Sequence, residues 1–435
     1  MMVQNYISGA TSVNIAASVE GSITAGRLPS GSLLPPVRSL ASHLRVSPAT
    51  VAAAYRLLQD RGVVVADGRR GTRVHAAPPI AIPREVPLPR GTRDLADGNP
   101  DPALLPDLAS ALRRVSFEQR LYGEELNDGE LLARAREQFH DDKIDATHLA
   151  VVSGALDGIE RVLREHLRAG DRVAVEDPCF TGVLDLLSGL SLVPVPVPID
   201  DEGLLPAELK KAIRSCSAVV VTPRAQNPTG AAFSTRRVRA LRAVLAERPE
   251  LVVIEDDHAG PAAGAEYLSL IDRNRERWAI VRSVSKFLGP DLRVALLASD
   301  AQTHARVEGR QTLGIRWVSH ILQRVVVALW KDRAPARAGR VYSERRDALL
   351  RALHERGIEA HGTSGLNVWI PVAEESATVQ ALLHAGWAVK AGERYRIATG
   401  PAIRVTIATL EPKDAERFAE ELAKVIAPRR KASGA

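Results

Sequence analysis

One lysine of the chain stands in a stretch that could carry covalent chemistry. Lys286 lies in IVRSVSKFLGPDLRVALLAS (residues 280–299), where two apolar runs flank a polar loop, the pattern of two buried strands joined through a site. Burial disfavours the charged ammonium, so the pKa of such a lysine falls and its free amine can form a Schiff base with an aldehyde. An ordinary surface lysine in a loop is the alternative interpretation at this point.

The neighbours of Lys286 indicate which aldehyde it would bind. Ser283 and Ser285 precede the lysine in the same loop, and Arg293 follows it. A hydroxyl and a guanidinium fork suit a phosphate dianion, because they supply directed hydrogen-bond donors and positive charge. A reactive lysine beside a phosphate clamp predicts pyridoxal 5′-phosphate (PLP) as the cofactor.

Short apolar runs between residues 150 and 300 predict the sheet that positions this loop. Amphipathic stretches at residues 156–167 and 236–246 separate several of the runs. The alternation predicts an α/β fold with a largely parallel sheet covered on both faces, and ligands of such sheets bind beyond the carboxyl ends of the strands. The runs are residues 151–152, 173–175, 192–197, 218–221, 251–254, 279–281 and 294–298.

Candidate ligand-binding residues follow these predicted strands. Two small residues open a helix whose amides can hold a phosphate, an aromatic residue could stack on a ring, and further candidates lie in the turn NPTG and in EDDH. Alone, NPTG is an ordinary turn, and EDDH could be a solvated loop or half of a metal site; we predict no metal. Their order favours one shared site. The candidates are Gly154, Ala155, Phe180, Asn227, Asp256 and His258.

This order of residues resembles that of the fold-type I, aspartate-aminotransferase-like PLP proteins, from about residue 93 to the C-terminus. The resemblance implies that Lys286 forms the Schiff base with PLP. It implies that Asp256 pairs with the pyridine nitrogen and keeps it protonated, which preserves the electron-withdrawing character of the ring. By the same resemblance Asn227 bonds the phenolic oxygen.

The resemblance extends to the phosphate and to the substrate. Tyr122, in LYGEELND, matches a tyrosine that reaches the phosphate of the neighbouring subunit. Arg404, in AIRVTIATL, matches an arginine that grips a substrate carboxylate through a bidentate fork. The implied phosphate ligands are Ser283, Arg293 and the amides near Gly154 and Ala155.

Four positions depart from the family pattern. His258 stands where a tyrosine near the phenolic oxygen is common, and Phe180 replaces a common tyrosine on the ring face. These two changes predict cofactor electronics that titrate nearer neutral pH. Ala155 and Asp157 replace the hydroxyl and amide residues frequent in the phosphate loop, which leaves that loop its backbone amides.

The positive charge of the chain is concentrated at its N-terminus. Residues 1–75 hold eight arginines, no lysine and three acidic residues, a net charge of +5 out of +6 for the whole chain. Clustered basic charge predicts a module that meets nucleic acid.

The same module has the pattern of a helix-turn-helix. Pro36 suits a first helical turn, and apolar residues repeat at helical spacing up to Arg45. Ser47 is predicted to cap a second helix, which ends before Gly62. A generic helical hairpin is the alternative. Residues suited to phosphates and base edges are Ser47, Thr50 and Arg56, followed by the arginines of a predicted basic hairpin or wing, Arg69, Arg70 and Arg73.

The stretch GRLPSGSLLPPVRSLASHLRVSPATVAAAYRLLQDRG resembles the winged helix of the GntR regulator family. The resemblance implies that Arg38 contacts DNA and that residues 47–58 form the recognition helix. A first helix is predicted near residues 13–23. Pro36 and Val37 depart from the family, which usually has small polar residues there.

Both halves together resemble the MocR subfamily of GntR regulators. The resemblance implies a PLP-dependent transcription regulator that binds double-stranded operator DNA as a homodimer, with PLP or an amino compound as effector. The EDDH, SVSKFLGPDLR and RQTLGIRWVSH patterns are similar to those of regulators of vitamin B6 metabolism. A working aminotransferase with an accessory DNA-binding module stays open. So does a fold that has lost PLP, against which the retention of five site residues argues: Lys286, Asp256, Asn227, Arg293 and Arg404.

Composition completes the expected organisation. No apolar run approaches the roughly 18 to 20 residues that span a bilayer, and the N-terminus lacks the pattern of a signal peptide, so we expect a cytoplasmic protein. The two cysteines form no disulfide framework. The predicted domains are a winged helix-turn-helix at 1–75, a proline-rich, extended linker at 76–92, and an aminotransferase-like domain at 93–435 with a small subdomain from roughly 335.

Overall fold

The structure, a computed structural model, describes residues 3–24, 27–29, 31–60, 63–66, 71–74, 87–330 and 334–427. The chain forms two compact units, one containing the N-terminal residues and one containing most of the chain from residue 86. The predicted wing residues Arg69 and Arg70, and most of the predicted linker, lie outside the described residues.

The N-terminal unit is a three-helix fold with a two-stranded hairpin. Apolar residues at helical spacing, among them Ile15, Leu40, Val51 and Leu58, form its core. The predicted helix cap is confirmed, because the Thr50 amide donates to Ser47 Oγ (3.1 Å). The elements are α1 (Ser12–Thr24), α2 (Val37–Leu44), α3 (Pro48–Asp60), β1 (Val64–Ala66) and β2 (Thr72–Val74), and the two strands pair antiparallel.

The second unit is built on an eight-stranded sheet. Its strands are β4 (Leu149–Val152), β5 (Arg172–Asp177), β6 (Val193–Asp200), β7 (Gly203–Leu204), β8 (Ala218–Val221), β9 (Val252–Asp257), β10 (Trp278–Ser283) and β11 (Ala295–Ser299). They lie in the order β4-β11-β10-β9-β8-β5-β6-β7. The central strands β8, β9, β10 and β11 are buried along their whole length, which explains their apolar runs. The polar residues of β9 and β10 lie at the carboxyl ends of these strands.

Every predicted strand is present, and one runs against the expected direction. The strands β8, β9 and β10 are parallel, whereas β11 pairs antiparallel with both β10 and β4. The reason is the connection: the loop carrying Lys286 joins β10 to β11 directly, without the helical crossover that a parallel pair needs.

Helices cover the sheet. Residue 158 of α6 is glycine because the helix lies so close to β10 that a Cβ there would approach the Val281 side chain to 2.8 Å. Side-chain caps from Asp128, Ser234 and Asp300 begin three of the helices. The helices are α4 (Leu108–Arg114), α5 (Gly129–Asp141), α6 (Ala155–His166), α7 (Thr181–Gly189), α8 (Pro206–Ala212), α9 (Thr235–Ala246), α10 (Ala301–Leu313) and α11 (His320–Trp330).

A smaller three-stranded sheet follows. The strands of this sheet lie in the order β12-β15-β14. The elements of this part of the chain are α12 (Ala334–His354), β12 (Asn367–Pro371), α13 (Glu375–His384), β13 (Trp387–Ala388), β14 (Lys390–Ala391), β15 (Ala402–Thr406) and α14 (Pro412–Ile426). The strand β13 pairs in parallel with β3 (Arg93–Asp94). Arg345 of α12 donates to Asp101 Oδ2 and Glu411 Oε1 (both 2.8 Å), which fixes the segment after β3 to this part of the unit.

Two observations are limited to the described residues. None of the helices in this part of the chain is long and apolar enough to cross a membrane. The described residues also contain no cluster of histidine, cysteine, aspartate and glutamate that could hold a metal ion.

Candidate cofactor site

The sheet collects the predicted residues at one edge. Each follows or ends a strand at its carboxyl end: the Gly154 loop follows β4, Phe180 follows β5, Asn227 follows β8, and Asp256 stands near the end of β9. Lys286 comes three residues after β10. Because β8, β9 and β10 are parallel, their ends meet at the same edge.

Lys286 is held by the main chain of a distant loop. Its Nζ donates to the main-chain oxygen of Gly98 (2.7 Å). Burial, reinforced by the neighbouring Arg404, lowers the pKa of Lys286 to about 8. A pKa near 8 leaves a substantial fraction of free amine at physiological pH, as a Schiff-base lysine requires.

Asp256 is a buried carboxyl group without a partner. Only 3% of the residue is exposed, and its Oδ1 has no hydrogen-bond partner among the described residues. Burial raises the pKa of Asp256 to about 8, and the charges of Asp257 and Glu176 add to this shift. Unpaired buried polar atoms are uncommon in folded proteins, so this oxygen indicates a missing donor.

The other two acids of EDDH have hydrogen-bond or ion-pair partners for both carboxylate oxygens. Asp257 binds Arg224 (2.9 Å) and Arg282 (2.6 Å), and although burial works in the opposite direction, these arginines hold the pKa of Asp257 well below its usual range. Glu255 accepts hydrogen bonds from Tyr267 and Ser269. Of the three acids, Asp256 alone keeps an unbonded buried oxygen.

The last residue of EDDH is an uncharged histidine. Burial, with the nearby Lys286, lowers the pKa of His258 to about 4. The imidazole is therefore neutral near pH 7 and offers one hydrogen-bond donor and one acceptor.

Arg404 and Asn227 are joined by a hydrogen bond. Arg404 Nη1 donates to Asn227 Oδ1 (3.3 Å), and Arg404 Nη2 donates to the main-chain oxygen of Ala96. The guanidinium lies 5.2 Å from the ring centre of Tyr395, and its Nε has no partner among the described residues. Burial lowers the pKa of Arg404. A buried guanidinium with unused donors is suited to a carboxylate.

The loop before α6 forms a cradle for an anion. Gly154 has φ +105°, and a Cβ there would lie 2.5 Å from Arg293 Nη2, so only glycine leaves this space open. Arg293 is exposed and donates to the main-chain oxygen of Ser153 (3.1 Å). The carboxylate of Asp157, in the first turn of α6, accepts a hydrogen bond from the Ser153 amide (2.8 Å) and so stabilises this loop. Ser283 Oγ and Ser285 Oγ bond to each other (3.0 Å).

These residues fit PLP. The orphaned Asp256 oxygen matches a protonated pyridine nitrogen, the Gly154 cradle with Arg293 matches a phosphate, and Lys286 supplies the amine. Phe180 lies three residues after β5 and packs over Gly182, where a Cβ would come within 2.6 Å of its ring.

Tyr122 is placed apart from the other predicted residues. It is 84% exposed, and its described ring contacts are with Trp317 (5.5 Å) and Arg316 (5.6 Å). Among the described residues it makes no contact with a predicted cofactor residue of its own chain.

Sequence reasoning missed several residues that shape the site. Glu176 is buried, accepts from the Thr222 amide (3.1 Å) and Gln226 Nε2 (3.2 Å), and has its pKa raised to about 7 by burial. The signal that could have found Glu176 is its position near the end of a strand, beside Asp177. The carbonyls of Ala96 and Gly98 carry no side-chain signal at all.

The predicted DNA-contacting residues lie on the N-terminal unit. Arg38 near the start of α2, Arg56 on α3 and Arg73 on β2 are exposed. Ser47 and Thr50 lie at the start of α3 and bond to each other through their hydroxyls (2.9 Å).

One consequence of the Asp256 environment can be measured in protein freed of PLP. Because the folded pKa of Asp256 is about 8 and the unfolded value about 4, the folded state binds the extra proton between these values, and its stability falls as pH rises through this window by at most about 1.4 kcal/mol per pH unit. Denaturant unfolding of wild type and Asp256→Asn across pH 5 to 8 should show a stability difference that grows with pH in favour of Asn. A difference independent of pH would contradict a raised pKa.

Comparison with known proteins identifies the class. The chain belongs to the aminotransferase class I and II family, which matches residues 94–422, and residues 11–74 match the bacterial regulatory proteins of the gntR family. It is a GntR-type transcription regulator with an aminotransferase-like domain, a family fold that uses PLP.

Particular relatives share this arrangement. The chain is 40% identical over 426 residues to the vitamin B6 salvage pathway transcriptional repressor PtsJ of Salmonella typhimurium, covering 96% of this chain and 98% of PtsJ. It is 29% identical over 396 residues to the regulator TauR of Rhodobacter capsulatus, covering 79% of each. Among solved structures, the α-aminoadipate aminotransferase LysN of Thermus thermophilus has the same fold (TM-score 0.69, 22% identity, 78% of this chain and 92% of LysN).

Proposed function

We propose that the protein regulates transcription of vitamin B6 metabolism and that PLP bound around Lys286 and Asp256 is its effector. The observation that carries the proposal is Asp256, a buried carboxyl with one oxygen that has no partner among the described residues. Burial and the neighbouring acids raise its pKa to about 8, and a protonated pyridine nitrogen would supply the positive charge that stabilises its carboxylate form. The name of PtsJ supports the vitamin B6 assignment.

Each site residue has a role in this proposal. PLP, when bound, supplies an electron-withdrawing ring. Lys286 holds it covalently, Asp256 keeps a proton at the ring nitrogen, and Asn227 and His258 lie beside the phenolic oxygen. Phe180 stacks on the ring, and Arg404 receives the carboxylate of an amino compound. The phosphate is held by Ser283, Ser285, Arg293 and the amides of Gly154 and Ala155, and by Tyr122 from a second subunit.

A homodimer accounts for the exposed residues around Tyr122. Leu121, Tyr122, Leu313 and Ile315 are all more than half exposed, an apolar surface that a second copy would cover. In this proposal the DNA-binding module spans residues 1–75, a linker spans 76–92, and the sensor domain spans 93–435 in a cytoplasmic protein.

The effector can act only if PLP favours one dimer arrangement over another, because a ligand that binds both equally shifts nothing. Couplings between sites are usually about 1 to 3 kcal/mol, so PLP should change the affinity for operator DNA roughly 5- to 150-fold. The test is a titration of operator DNA, selected from a random library, with PLP-free and PLP-loaded protein at matched salt. Equal affinities, together with sustained turnover of an amino donor, would support the alternative of a working aminotransferase.

The DNA-binding face makes a separate prediction. Arg38→Ala and Arg56→Ala are each expected to weaken operator binding, and each lost phosphate contact should reduce the slope of log affinity against log salt by roughly 0.9. Arg239→Ala, an exposed arginine of α9, is the control and should bind as wild type does. Full affinity in both test variants would contradict the assignment of this face.

A further inference from the structure

A second cavity lies outside the predicted cofactor site. Its volume is about 370 Å³, and none of the predicted cofactor residues lines it. This volume is at the small end of the roughly 300–1,000 Å³ that small-molecule sites occupy. Its apolar walls are Pro178, Pro198, Ile199, Trp369, Pro371 and Pro401. Rigid proline rings and an indole face suit a flat ring compound.

The charges of this Trp369 cavity select against anions. Three aspartates line it, and no lysine or arginine is among its described lining residues. The Asp177 carboxylate accepts from the amides of residues 397–399 (2.8 to 2.9 Å), and Asp200 is paired with Arg237 (2.7 Å). Asp201, at the exposed rim, bonds to His361 Nδ1 (3.1 Å) and keeps room for another donor. Asp201 also raises the pKa of His361, so part of the carboxylate charge is offset inside the cavity. The remaining balance favours a neutral or cationic donor over a phosphate or carboxylate.

The cavity is lined by residues that bond to, or lie close in sequence to, the predicted cofactor residues. Thr229 lines the cavity and donates to Gln226 Oε1 (2.7 Å), and this bond closes the turn that contains Asn227. Gln226 in turn donates to the carbonyl of Pro178 (2.8 Å), two residues before Phe180. On the other side, the Trp369 ring lies 6.2 Å from Tyr395, whose second face contacts Arg404. A ligand in the cavity would therefore contact residues that connect through hydrogen bonds and ring contacts to Asn227, Phe180 and Arg404.

We propose that the Trp369 cavity is a second small-molecule site, for an unphosphorylated, neutral or cationic ring compound that carries hydroxyl or amino donors. Its identification with a B6 vitamer rests on the proposed function. Pyridoxine is the probe, because it has the ring and the hydroxyl donors but neither a phosphate nor an aldehyde that could react with Lys286. The matched control is 4-pyridoxate, which differs by a carboxylate in place of one hydroxymethyl group.

Calorimetric titration of the PLP-loaded protein tests the site. Pyridoxine is expected to bind with a stoichiometry of one per chain, while the absorbance shows that PLP stays bound. The affinity for 4-pyridoxate should be lower by about tenfold or more. No binding of pyridoxine, equal binding of both compounds, or binding only after PLP is removed would overturn the proposal. The last result would mean that pyridoxine enters the cofactor site itself.

Two variants locate the binding. Gly400 lines the cavity, and a Cβ there would meet nothing within 4 Å, so Gly400→Trp should fill the cavity and abolish pyridoxine binding, while Gly400→Ala should preserve it. Asp201→Asn should reduce the ratio of pyridoxine affinity to 4-pyridoxate affinity. This variant tests the location of the site if Gly400→Trp does not fold. Unchanged binding in Gly400→Trp, or an unchanged preference in Asp201→Asn, would refute the site.

The two proposals can fail separately. Pyridoxine binding that Gly400→Trp abolishes supports the cavity even if PLP leaves DNA affinity unchanged, and that second result would count against the proposed effector role alone.

Discussion

Replacing Lys286 by alanine is expected to remove the visible absorbance of lysine-bound PLP and, with it, the whole PLP-dependent change in operator affinity. Burial lowers the pKa of Lys286 to about 8, so its free amine is available to form the Schiff base. The roughly 5- to 150-fold effect of PLP on DNA affinity should disappear. Absorbance after dialysis and the operator titration measure the two effects.

The control for this experiment is Lys210→Ala. Lys210 is an exposed lysine that bonds to Glu247, and its loss should leave both absorbance and PLP response as in wild type. Borohydride reduction of the wild-type protein followed by peptide mass spectrometry should place PLP on the peptide containing Lys286. PLP found on another lysine, or a PLP response that survives in Lys286→Ala, would disprove the assignment.

The second large effect separates two adjacent acids. Asp257→Ala should lower the free energy of unfolding by about 3 to 5 kcal/mol, because it removes the carboxylate that pairs with the buried guanidinium of Arg224 and one of the two that pair with Arg282, which keeps Asp142. Asp256→Ala should leave the stability of the PLP-free protein at neutral pH unchanged or higher, because it removes a buried carboxyl that has an unpaired oxygen.

For cofactor binding, in contrast to stability, Asp256 is expected to be the more important of the two acids. Asp256→Ala is expected to weaken PLP binding and shift its absorbance, since the ring nitrogen loses the carboxylate that keeps it protonated. Denaturant unfolding and PLP titration of both variants measure the contrast, and Asp257→Asn provides a milder test if the alanine variant does not fold. Equal destabilisation by the two substitutions would show that Asp256 has a structural partner and that its fit to PLP is wrong.

The sequence predicted the features that depend on near neighbours in the chain. Helix caps such as Ser47, the strands, and the order of residues after them follow from local patterns. The choice of Asp256 among the acids of EDDH came from the family resemblance and not from local patterns, because which acid keeps an unbonded oxygen depends on partners far along the chain. Arg224 and Arg282 lie 33 and 25 residues from Asp257, and neither position is marked by its surroundings as an ion-pair partner.

The direction of β11 and the Trp369 cavity were beyond sequence reasoning for a related reason. Apolar runs show that a strand is buried, but parallel and antiparallel neighbours bury the same residues. The cavity lies between segments around residues 177–201, 361–371 and 399–402, whose proximity is a property of the finished fold.

Lys286 and Arg404 are both held by carbonyl groups of the main chain, at Gly98 and Ala96. Alanine scanning is blind to such contacts, because changing a side chain leaves its carbonyl in place. At Gly98 a scan would even mislead: the residue has φ +73°, and a Cβ would lie 3.2 Å from Arg404 Nη2, so Gly98→Ala would report strain and crowding rather than the loss of a hydrogen bond. Backbone chemistry can read these contacts: an ester in place of the amide that follows Gly98 weakens the carbonyl as an acceptor and leaves every side chain in place.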